Sequence, residues 1–125
     1  MNWRTRKVAA LAVAACVLAG IAWNRHLASV ARDEQLRHVM RMKAQAFKQE
    51  VDRRFPPGTS LAEFDVFANQ QTGWRSKASD GWYISIGQEP SGVWYCGPRE
   101  VGVVATFSAE RLTSTSVSSW GLNCL

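Results

Sequence analysis

Residues 8–23 (VAALAVAACVLAGIAW) carry no charge over sixteen consecutive positions, and this run constrains the 125-residue chain more than any other feature. It follows Arg4, Arg6 and Lys7 and is closed by Asn24, Arg25 and His26. As a helix it would span about 24 Å against a hydrocarbon core of about 30 Å, so Trp3, Trp23 and Arg25 are expected at the interfaces. The run therefore reads as membrane-directed. An uncleaved signal anchor is the leading expectation, with a lipoprotein signal and a cleaved secretory signal as alternatives. The lipoprotein reading rests on Val13-Ala14-Ala15-Cys16, where small residues precede a cysteine that could be lipidated; otherwise Cys16 is a small apolar helix residue. Cleavage after Gly20-Ile21-Ala22 would release a secreted form. All three export residues 24–125. The basic start and the lack of a second apolar run place the amino terminus in the cytoplasm and the rest in the periplasm of a single-pass inner-membrane protein.

Charge follows the same division. The chain holds 15 Lys and Arg against 10 Asp and Glu, a net +5. Residues 1–7 contribute +3 and residues 24–55 contribute +4, whereas residues 56–125 sum to −2. A slightly acidic folded region without interleaved basic and aromatic residues argues against nucleic acid as a partner. The basic connector is suited to anionic headgroups beside a membrane. The expected organisation is a signal anchor or signal sequence at 1–23, a basic amphipathic helix at 24–55 and a small exported domain at 56–125.

Between His26 and Arg54 there is no Pro or Gly, and helix formers dominate. Leu36, Met40, Ala44, Phe47, Val51 and Phe55 recur at helical spacing and form one apolar stripe. The stripe could pack on the domain or mediate a homo-oligomer. Opposite charges four apart, Asp33 with Arg37, Lys48 with Asp52 and Glu50 with Arg54, would support the helix on its other faces. Pro56-Pro57-Gly58 ends it. Ser60 with Glu63 has the capping-box pattern for a second helix at 61–71, with Leu61, Phe64, Phe67 and Ala68 on its apolar side.

After Gly73 the pattern changes to strands, expected at 74–78, 82–88, 93–96, 100–107 and 111–120, with turns at Asp80-Gly81, 89–92, Gly97-Pro98 and 108–111. The last strand is polar on both faces, which suits an edge. The fold class expected is α+β, with a membrane helix continuing into a long amphipathic helix, a short second helix and a meander antiparallel sheet of four or five strands. Trp74, Trp82, Trp94 and Trp120 are the candidate partner-binding residues.

Cys96 and Cys124 are expected to pair in an exported domain. Trp94-Tyr95-Cys96-Gly97-Pro98-Arg99 resembles part of the thioredoxin loop, but Arg99 stands where the second cysteine belongs and strand is expected after it. His26 and His38 lack the spacing to share a metal. Glu63 with Asp65, and Glu100 with Glu110, are better explained as solvated carboxylates than as acid pairs. Neither a catalytic site, a metal site nor a cofactor is expected.

Pro57-Gly58-Thr59-Ser60 followed by Glu63, the Trp82-Tyr83 strand and the Phe107 to Leu112 hairpin resemble the small periplasmic lipoproteins of the SmpA/OmlA (BamE) family. The resemblance covers roughly residues 55–117. It implies two helices followed by a sheet, and an accessory role in the envelope. The function expected is a non-catalytic, membrane-anchored interaction domain with a protein partner. The alternatives are an inhibitor or immunity-type protein acting on an envelope enzyme, and a pilin-like subunit.

Overall fold

The computed structural model describes residues 2–121 and Cys124. Helix α1 (Trp3–Arg54) is followed by α2 (Leu61–Asn69) and strands β1 (Arg75–Ala78), β2 (Gly81–Glu89), β3 (Arg99–Ser108) and β4 (Arg111–Trp120). The strands form one antiparallel sheet in the order β1-β2-β3-β4. The α+β class and the apolar amino-terminal helix are both present.

By its internal contacts the chain separates into two units, one ending at Glu34 and the other beginning at Gln35. The first unit is helical, and its side chains are exposed almost throughout. It contains a stretch long and apolar enough to cross a membrane. Cys16 lies within it as a free, exposed thiol.

In the second unit, the later turns of α1 and all of α2 pack on one face of the sheet. Alternation along the strands turns Trp82, Ile84, Val101, Val103 and Ala105 toward the helices. Val51, Phe64, Phe67, Ala68 and Leu112 complete the buried cluster, with Phe47, Phe55, Leu61 and Phe107 packed around it. Phe64 meets Phe107 at 5.3 Å and Phe55 meets Phe67 at 4.9 Å between centroids. Such pairs add about 0.5–1.5 kcal/mol each beyond area burial. The helix stripe is thus filled mainly from inside the chain. Leu36 is the exception, 46% exposed, because polar Arg37 and Arg41 turn toward the sheet at that level.

Helix α2 starts where Ser60 Oγ accepts from the Glu63 N–H at 3.3 Å. Glu110 and Thr59 tie this corner to the β3–β4 hairpin, through Leu61 N–H to Glu110 O at 2.9 Å and Leu112 N–H to Thr59 O at 2.8 Å. The helix ends two residues earlier than expected. Lys48 pairs with Asp52 as spaced, but Glu50 takes Arg53 instead of Arg54, whose guanidinium lies over the Phe55 and Phe67 rings. Asp33 and Arg37 form no ion pair among the described residues.

The expected strand at 93–96 is a correction: these residues are loop. Pro90 and Gly92 on one side and Gly97-Pro98 on the other interrupt the extended backbone, and Val93 to Cys96 close a turn through Cys96 N–H to Val93 O at 3.0 Å instead of joining the ladder. The sheet accordingly has four strands. A long connection, residues 90–98, joins β2 to β3, and Cys96 is bonded to Cys124 within it.

Candidate functional site

The four candidate tryptophans separate into three environments. Trp82 is only 5% exposed and its indole N–H donates to Asp65 Oδ1 at 2.7 Å. It belongs to the core and cannot present itself to a partner. Asp65 also accepts from Lys77 Nζ at 2.9 Å, so an α2 carboxylate ties down β1 and β2 together. Desolvation pulls the Asp65 carboxyl upward, but the bonds from Lys77 and Trp82 outweigh it and hold its pKa below the ordinary value.

Trp74 and Trp120 meet on the sheet face away from the helices. Register places Tyr83, Val104 and Ser116 side by side there, with Ser118 and Trp120 further along β4. The Trp120 ring lies 5.7 Å from Trp74 and 5.5 Å from Tyr83. Trp74 is 49% exposed, and the Trp120 indole nitrogen is covered without a hydrogen-bond partner among the described residues. Around this cluster the face is small and polar, because β4 alternates Ser114, Ser116 and Ser118 on it. Gly102 must stay bare, since a Cβ there would run into the Ile84 carbonyl. Beyond Leu112 the outer edge of β4 is the end of the sheet.

Trp94 stands apart, 92% exposed at the tip of the 90–98 loop, its ring 5.4 Å from that of Tyr95. The loop is nonetheless built. Cys96 N–H donates to Val93 O at 3.0 Å, Ser91 Oγ accepts from Val93 N–H at 3.2 Å, and Gly92 takes a left-handed φ of 81°. At its base the Glu89 carboxylate is buried and accepts from Arg41 Nη2 at 3.0 Å and Nε at 3.3 Å. Arg99 is opposite Glu89 in the ladder, and the Arg37 guanidinium packs against Gly92.

A cleft of about 500 Å³ opens where β1 stops short of the upper half of β2, lined by Phe47, Trp74, Gln88 and Glu100 among others. Both Glu100 oxygens are already engaged, one by the Ser85 hydroxyl and the other by Gln88 Nε2 at 2.9 Å. Besides that carboxylate the Ser85 hydroxyl meets the Gly87 and Val101 carbonyls and accepts from the Gly87 N–H at 3.2 Å, so its partners are structural. Among the described residues no group of His, Cys, Asp and Glu is placed to hold a metal ion. Asp65 on α2 is engaged by Lys77 and Trp82, two positions from Glu63, and Glu100 near the start of β3 is separated by the length of that strand from Glu110 in the β3–β4 turn.

Sequence reasoning missed the Arg41–Glu89 pair, because its members lie 48 positions apart and neither has a local pattern around it. No protein-family model matches the chain, and neither a curated protein nor a solved structure matches it.

Proposed function

We propose that the chain is a membrane-anchored, exported interaction domain of a bacterial envelope that acts by binding a protein and catalyses nothing. The observation carrying this reading is the aromatic cluster of Trp74, Tyr83 and Trp120 on the sheet face opposite the one that α1 and α2 pack on. Aromatic anchors ringed by small polar residues are what a docking surface concentrates, and the adjoining β4 edge offers unpaired backbone groups. The amino-terminal unit supports retention at the inner membrane as a signal anchor, since an exposed apolar stretch flanked by Arg4, Arg6 and Lys7 favours a cytoplasmic start. The folded unit then lies in the periplasm, where Cys96 and Cys124 can stay oxidised.

Photo-crosslinking in intact cells tests the reading. A photoreactive residue replacing Ser116, beside the cluster, should capture one protein, and Trp120→Ser should abolish the adduct. The same probe at Val66, exposed on α2, should capture nothing. Capture of assembly-machine subunits supports an accessory role, and a single hydrolase or toxin would point to an inhibitor. Equal labelling from both positions would contradict the assignment of this face.

A further inference from the structure

We infer that the 90–98 loop is a second membrane contact, in which Val93, Trp94 and Tyr95 enter the interface of the same anionic bilayer that holds the apolar amino-terminal stretch. This rests on the anchoring reading above and assigns a role to a part of the domain that the partner-binding face does not use.

Three observations carry it. The first is the tip itself. Val93, Trp94 and Tyr95 are 36%, 92% and 46% exposed, although burying their apolar surface would be favourable. The Val93–Cys96 turn and the bond from Cys96 to Cys124 restrain the loop with these rings outward. An exposed apolar side chain held out by covalent and hydrogen-bonded restraints is preorganised for contact.

The second is the charge around the base of the tip. Arg37, Arg41 and Arg99 gather there against the single buried carboxylate of Glu89, leaving a local excess of two positive charges. Arg37 and Arg99 have no ion-pair partner among the described residues. Indole and phenol rings prefer the headgroup level of a bilayer, and guanidinium groups beside them are drawn to anionic lipid by about 1 kcal/mol each. A convex tip of this composition matches a lipid interface in both its apolar and its charged parts.

The third is reach. Arg37, against which the loop packs, is only fourteen positions after Trp23 at the end of the apolar run. Even fully extended, that stretch of chain spans no more than about 50 Å, so the bilayer is an intramolecular neighbour at high effective concentration.

The test uses the full chain in vesicles of phosphatidylcholine with phosphatidylglycerol. On a Cys16→Ser background with the native disulfide kept, single nitroxide labels are placed through Val93→Cys, Val66→Cys and Leu11→Cys. Collision with oxygen against a water-soluble nickel chelate then reports depth. The label at 93 should be shielded from nickel and that at 66 fully accessible. Arg37→Gln, or omission of the anionic lipid, should lower the ratio of immersed to aqueous label at 93, by about fivefold for the single arginine. Independently, brominated lipid should quench the native chain more than Trp94→Phe. A label at 93 as nickel-accessible as that at 66, with the label at 11 in hydrocarbon, overturns this inference and leaves the anchor standing. A label at 11 exposed to nickel overturns the anchor and this inference with it.

Discussion

Arg41, on the helix, reaches Glu89, at the end of β2, and holds a carboxylate whose side chain is fully enclosed while its own guanidinium stays half in water. The guanidinium also donates to Ser119 Oγ at 3.2 Å, so one side chain joins α1, β2 and β4. Removing one partner of such a pair strands a buried charge, a loss of about 3 kcal/mol or more. Arg41→Ala should therefore lower unfolding stability in detergent by about that amount. Arg41→Met with Glu89→Leu should recover most of it, because no charge is left to desolvate. Equal losses in the single and the double variant would contradict this account.

Asp65 sets an acid limit on the fold. Its pKa and that of Asp52 are lowered in the folded state; desolvation raises both, but Asp52 is overcome by Lys48 and Thr115, as Asp65 is by Lys77 and Trp82. A carboxyl with a depressed folded pKa stabilises the native state above its unfolded value, about 3.9. That contribution disappears as pH falls through the folded value. Melting temperature should be flat from neutrality to about pH 5 and drop below about pH 4. Asp65→Asn should be less stable at neutral pH and show a shallower acid decline. Trp82→Phe, which keeps the ring and loses the N–H, should cost about 1 kcal/mol from its hydrogen bond alone.

Reduction tests the loop. The Cys96–Cys124 bond closes 28 positions, which by loop entropy alone would stabilise the fold by about 3–4 kcal/mol. Cys96→Ser with Cys124→Ser should lower stability by up to that amount while far-ultraviolet circular dichroism keeps its sheet signal. Amide exchange should rise in residues 90–98 and stay low in Val101 and Val103, which are buried in the core.

The β3–β4 turn carries strain. Ala109 and Glu110 adopt φ of 49° and 59°, a left-handed pair that suits Asn-Gly better than these residues. Ala109→Asn with Glu110→Gly should raise stability by about 1 kcal/mol, read by denaturant midpoint. The backbone carbonyl of position 110, which caps Leu61, is retained by either residue.

Local chemistry made much of this readable. Ser60 with Glu63 marks the start of α2, Pro56-Pro57 marks the end of α1, and the serine-rich alternation of 111–120 marks an edge strand. The pairing of Cys96 with Cys124 followed from the expectation of an exported domain. Residues 93–96 misled because Val, Trp and Tyr have the same strand preference whether they pair or stand in a loop. Trp82 could not be told from Trp94 by composition, since its burial depends on Asp65 and the helices across the sheet. The same holds for Leu36, displaced at its level by arginines that answer a carboxylate far along the chain.

The central claim, one apolar anchor with the folded unit across the membrane, is tested most directly by protease protection. With an epitope tag following Leu125, protease added to spheroplasts should remove the tag and degrade the 35–125 unit while the outer membrane is open and the inner membrane intact. Mass spectrometry of the membrane fraction should recover residues 8–23 attached to the chain. A tag protected until the inner membrane is dissolved would contradict the account.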